Sequence, residues 1–253
     1  DMNVASSLVN QIEKIRSQLH DIKSITADQE AADEIAKDSS VRAVVLSGEG
    51  RCFCAGLDMS SFAAMAGGGS SERGGSGPLL TQTQAESPAN FAQRAAWAWQ
   101  ELPVPVIAAL HGVALGGGLQ VALGADIRLV APDARLSVLE IKWGLIPDMS
   151  ATQTLRRLVR LDVAKELTFS GRMVSGTEAV ELGLPTRGAD DPKAAAMELA
   201  REIASKSPDA IRAGKELLNQ SVQLDLREGL SLEERFQRGP VSYTHLTLPT
   251  NRE

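Results

Sequence analysis

The sequence predicts an α/β fold with a helical C-terminal region, and three observations carry that prediction. Short buried strand signals recur at 41–46, at "VPVIAAL" (104–110) and at "DIRLVA" (126–131). Helical patterns separate them. From residue 150 onward helical segments follow one another almost without a break. Alternating strands and helices followed by helices alone describe an α/β core and then a helical lobe.

Taken in order, Val4, Leu8, Ile12, Ile15 and Leu19 form one apolar face of an amphipathic helix. A second helix, "ADQEAADEIAKDSS", leads into the strand at 41–46, which Gly48 and Gly50 stop. Residues 66–78, "AGGGSSERGGSGP", read as a mobile surface loop within one domain. A helix over 88–102 precedes the second strand. Glycines, a short apolar helix "LQVALGA" and the third strand come next. The later helices are expected at 150–160, 162–169, 177–183, 192–206, 208–220 and 225–237. Residues 1–187 are therefore assigned to the core and 188–240 to the lobe. The last thirteen residues, 241–253, break the composition and read as a translated sequencing adapter, not native chain.

With 253 residues, 43% hydrophobic and 23% charged, the chain has ordinary globular composition. A net charge of −6 argues against a nucleic-acid partner or an anionic membrane surface. No run is long enough to span a bilayer and no export signal is visible, so the cytoplasm is the expected location. Cys52 and Cys54, one residue apart, cannot staple a fold or complete a zinc site; they read as two small buried residues.

The stretch "HGVALGGGLQ" (111–120) concentrates the chemistry. A glycine-rich turn between a strand and a helix lets a bound group approach unpaired backbone N–H groups. The spacing fits neither a dinucleotide fingerprint nor a phosphate loop. Tight helix–sheet packing is the structural alternative. "GGSGP" is one residue short of a nucleophile elbow, and His111 reads as a strand-end residue.

Two segments, "VRAVVLSGEGRCFCAGLDMSSF" (41–62) and "VPVIAALHGVALGGGLQVALGADIRLVAPDARLSVLEIKWGLIPD" (104–148), resemble the crotonase superfamily, the enoyl-CoA hydratase/isomerase family. The likeness spans about 41–238. It implies a spiral of ββα units with a helical C-terminal lobe, assembled as a homotrimer or a dimer of trimers. It also implies an acyl-CoA substrate, with coenzyme A as part of that substrate and no separate cofactor or metal. By the same resemblance, the backbone N–H groups of Leu57 and Gly117 meet the thioester oxygen, and Ala55, Leu57, Asp58, Met59 and Ser60 lie along the CoA path. A polarised thioester acidifies the neighbouring carbon, and one well-placed donor is worth about 2.7–4 kcal/mol of barrier.

Proton carriers are expected at Glu140 and Asp148, which resemble the acid–base pair of the dienoyl-CoA isomerase branch. Hydratases of the family place a glutamate where this chain has Gln120. A carboxamide neither accepts nor returns a proton near neutral pH. Isomerisation is thus expected over efficient hydration; hydration through Glu140 alone and acyl-CoA binding without turnover are the alternatives. For Asp148 two roles stand open together, acid–base group and cap of the following helix, and Glu140 has a structural alternative as a strand end. At both ends the sequence departs from the family pattern: the first strand with its N-R-P segment and the last helix are not evident.

Overall fold

The computed structural model of the chain describes residues 25–56 and 87–239. The helix expected over residues 4–19, the Gly/Ser-rich stretch 66–78 and the tail 241–253 lie outside the described residues.

Two sheets organise the fold. Strands β1 (Val44–Ser47), β2 (Val106–Leu110), β4 (Ile127–Val130) and β7 (Arg187–Gly188) form a parallel sheet in that order. Val44 lies opposite Val106, and Ile107 opposite Ile127. The second sheet joins β3 (Val113–Leu115), β5 (Arg135–Ser137) and β6 (Val174–Ser175); β3 and β5 run parallel, β5 and β6 antiparallel. After β2 the chain enters β3, and after β4 it enters β5. Each turn of the winding thus adds one strand to each sheet. Cys54, following β1, makes the equivalent bridge to Ala114. This repeated strand–strand–helix course is the expected ββα spiral.

Strand β2 shows why its sequence reads as a continuous apolar run. All five of its residues are buried. Val106, Ala108 and Leu110 point into the larger core with Trp99, Leu119 and Leu123, while Ile107 and Ala109 point the other way, onto Ala196 and Ala200. A strand covered on both faces needs no polar alternation. Each buried Val, Leu or Ile contributes about 1.5–3 kcal/mol.

Helix starts follow local capping chemistry. The helix Phe91–Glu101 begins three residues later than the sequence pattern suggests because Asn90 caps it: Gln93 N–H donates to Asn90 Oδ1, and the Gln93 side chain returns a bond to the Asn90 N–H. Asp225 and Glu228 repeat that arrangement before Leu226–Arg238. Asp191 and Ser207 cap Pro192–Ala204 and Pro208–Ser221, each with proline in the first turn. The other α-helices among the described residues are Ile25–Lys37, Gly117–Leu123, Ala151–Leu158, Leu161–Ser170 and Gly176–Leu182.

Helix Pro192–Ala204 lies directly on β1, β2 and β4, with Ala196 and Ala200 allowing close approach. Among the described residues no helix is long and apolar enough to cross a membrane.

Candidate active site

The three consecutive glycines mark three close approaches from distant segments. Gly116 caps helix Gly117–Leu123 with φ +51°, a backbone conformation suited to glycine, and a Cβ there would sit 3.4 Å from Glu140 Oε1. At Gly117 a Cβ would lie 3.2 Å from Met149 Sδ, and at Gly118 it would lie 2.5 Å from the Cys54 carbonyl oxygen. The turn therefore brings together the Glu140 region, the loop before residue 151 and the strand that ends in C-A-G. Of the two purposes weighed from the sequence, the contacts show tight packing.

The first intrahelical bond runs from Gln120 N–H to Gly116 O. The Gly117 amide thus begins the helix without an intrahelical acceptor, and no backbone acceptor for it occurs among the described residues. Cys54 N–H donates to Val113 O, and Leu115 N–H donates to Cys54 O. This pairing places Gly56 beside the glycine turn: its Cβ would lie 3.9 Å from the Gly117 nitrogen. Ala55 is exposed. Leu57, Asp58, Met59 and Ser60 lie outside the described residues.

Glu140 opens a 3₁₀ turn, Glu140–Trp143, rather than ending a strand. It is buried, with 9% of its surface exposed. Its Oε1 accepts from Gln120 Nε2 at 2.6 Å, whereas Oε2 is buried with no hydrogen-bond partner among the described residues. Gln120, also buried, accepts at Oε1 from the Met149 N–H (2.8 Å) and the Ala151 N–H (3.2 Å). A single carboxamide therefore ties the Glu140 turn to the loop that carries Asp148.

Asp148 itself is exposed. The capping alternative for it does not hold, because the N-cap of Ala151–Leu158 is Ser150, two residues further on. Ser150 adopts φ +73°, left-handed backbone that among the described residues no other non-glycine adopts. Its hydroxyl is buried, has no partner among the described residues and does not cap the helix. Sequence reasoning read Ser150 only as the start of a helix; a serine at a helix entrance was the sole signal for it.

Cys52 and Cys54 are free and half-buried, more exposed than expected. Burial, above all, pushes the Cys54 thiol up, with Asp28 and Cys52 adding to the effect against a Gly56 backbone bond. That favours a packing thiol over a nucleophile. His111 Nε2 sits 3.2 Å from Gly50 O, tying the β2–β3 turn to the end of β1. Among the described residues no cluster of His, Cys, Asp or Glu could hold a metal ion.

The family model for enoyl-CoA hydratase/isomerase matches residues 23–247. The chain belongs to the enoyl-CoA hydratase/isomerase family. Human mitochondrial methylglutaconyl-CoA hydratase is 38% identical over 81% of the chain, and a probable enoyl-CoA hydratase of Bacillus subtilis (strain 168) is 37% identical over 80%. The chain covers 58% of the human relative, 65% of its rat counterpart and 74% of the B. subtilis one. The crystal structure of enoyl-CoA hydratase from Bacillus anthracis is similar at TM-score 0.67 and 30% identity, covering 84% of this chain and 78% of that one. The enoyl-CoA hydratase from Polaromonas sp. JS666 gives TM-score 0.72 at 26% identity, covering 84% and 79%. These matches establish the crotonase fold and its superfamily. Within that enoyl-CoA hydratase/isomerase frame, the glycine turn, Gln120 and Glu140 form one contiguous cluster.

Proposed function

We propose that the protein acts on an enoyl- or dienoyl-CoA thioester, stabilising an enolate-like state at the glycine turn and moving a proton with Glu140. The observation that carries this reading is the Glu140 carboxyl: buried, beside the helix start at Gly116, with one oxygen unpartnered. A buried acceptor left without a bond costs about 1–3 kcal/mol, more for a charged group. Such a group calls for an explanation, and a ligand that completes it would supply one here.

In this reading the Gly117 N–H, with that of Leu57 as its family counterpart, polarises the thioester oxygen. Glu140 Oε2 takes a proton from the acyl chain, electron density moves toward the oxygen, and a proton returns at another carbon as the double bond shifts. Asp148 is the second proton carrier; its exposure supports exchange with solvent. Coenzyme A enters as part of the substrate, past Ala55, Asp58, Met59 and Ser60, and no further cofactor takes part. Isomerisation is favoured because Gln120 supplies no second buried carboxyl for water activation. Leu218, Leu226 and Leu230, exposed on the last two described helices, and Val222 between them support a trimeric assembly that buries them.

A second reading is hydration through Glu140 alone, which the hydratase names of the relatives favour. Turnover of a 2-enoyl-CoA against a 3,5-dienoyl-CoA separates the two. The proposal expects faster conversion of the dienoyl thioester, abolished by Asp148→Asn with CoA affinity retained. Faster hydration of the 2-enoyl thioester selects the second reading, and binding of both without conversion overturns the enzymatic account.

A further inference from the structure

We infer that Gln120 is a positioning residue: the loop at Met149–Ala151 fixes which end of its carboxamide faces Glu140, and this selects Glu140 Oε2 as the proton-accepting oxygen. The inference deepens the proposed function and rests on its assignment of Glu140 as the base.

The argument starts from donors and acceptors. Two backbone N–H groups, from Met149 and Ala151, converge on one end of the carboxamide at 2.8 and 3.2 Å. Backbone N–H groups only donate, so that end is the oxygen. They converge because Ser150 between them is left-handed, the conformation that turns flanking amides into one concavity. The other end is then the NH₂, which donates to Glu140 Oε1 at 2.6 Å. That bond ties one of the two carboxyl oxygens down. Oε2, without a partner among the described residues, is the oxygen left open. The strained serine, the amide sense and the free oxygen are thus three links of one device, on a helix whose first turn carries the Gly117 amide.

A glutamate at 120 would fill the same concavity with an oxygen and turn its other oxygen toward Glu140 Oε1, a juxtaposition that requires a shared proton. Gln120 replaces a two-carboxyl system by one base of fixed direction.

The test uses the whole chain and Gln120→Met, which keeps length and burial but removes both the donor and the acceptor. With a 3,5-dienoyl-CoA, kcat should fall on the order of 100-fold while KM stays within about threefold, the signature of an interaction made in the transition state. A kcat within about threefold of the parent overturns the inference, as does a loss confined to KM. A second readout does not depend on turnover. The Gln120 side-chain amide protons, followed by ¹⁵N NMR, should be protected from solvent exchange and lose that protection in Glu140→Ala. Protection unchanged in that variant also overturns the inference. A protein that converts neither thioester yet shows the NMR response keeps the hold on Glu140 and sinks the proposed function instead.

Discussion

The start of strand Ile127–Val130 and the start of helix Gly117–Leu123 both gather polar groups, and they differ in how completely those groups are answered. At the strand, Lys215 Nζ meets Asp126 Oδ2 at 2.8 Å and donates to the carbonyls of Trp99 and Val104. Asp126 also accepts from the Val106 N–H, and the Arg128 guanidinium donates to the carbonyls of Leu184, Ala125 and Asp126. At the helix, Gln120 is engaged at both ends of its carboxamide, while Glu140 Oε2 and Ser150 Oγ have no partner among the described residues. The first cluster latches the helix Pro208–Ser221 to the core. The second holds an acid in place and leaves it incomplete. A saturated network reads as structure, whereas an ordered but unsaturated one reads as a place for a ligand.

Removing one member of the saturated cluster gives the largest expected effect. Lys215→Met leaves Asp126 without its cation and should destabilise the chain by about 3–5 kcal/mol in urea unfolding. A change below about 1 kcal/mol would show that the latch is not holding the helix.

Asp28 sharpens the comparison from a third position. It is buried, its Oδ1 has no partner among the described residues, and burial pushes its pKa up to about 7 from 3.8. An acid with a raised folded-state pKa leaves stability intact below about pH 4 and reduces it as pH rises toward about 7, because the unfolded chain ionises first. Asp28→Asn should therefore raise stability at pH 8 by about 2–4 kcal/mol and leave it nearly unchanged at pH 4. Equal gains at both values would mean that ionisation is not the cause.

Gly118→Ala probes the packing on which the unsaturated cluster depends. Its Cβ would lie 2.5 Å from the Cys54 carbonyl and 2.8 Å from its sulfur, so a loss of about 1–3 kcal/mol is expected in thermal unfolding. An unchanged melting temperature would mean that the C-A-G strand yields freely. The smallest effect belongs to Gln120→Glu, which should raise 2-enoyl-CoA hydration at least about tenfold. No gain would show that the missing second carboxyl is not what limits hydration.

Much of the architecture was legible because it rests on local rules. The run 104–110 read as a buried strand, and the helices that Asp191, Ser207 and Asp225 cap were expected within a residue of where they start, whereas the helix that Asn90 caps was expected to start earlier than it does. The strands Val113–Leu115, Arg135–Ser137, Val174–Ser175 and Arg187–Gly188 were not legible, since two or three residues are too short to show a period. At the site, Glu140 stood out through family resemblance and not through its own neighbours. Ser150 and the backbone grip on Gln120 depend on how a loop closes 30 residues further along the chain, which neither propensity nor spacing records.

The most direct measurement is exchange of solvent deuterium into a bound enoyl-CoA, followed by mass spectrometry for the parent protein and for Glu140→Gln. The account predicts incorporation into the acyl chain by the parent and a loss of about 100-fold or more in the variant, with both proteins equally folded. Exchange at the same rate in both would contradict the assignment of Glu140 as the group that takes the proton.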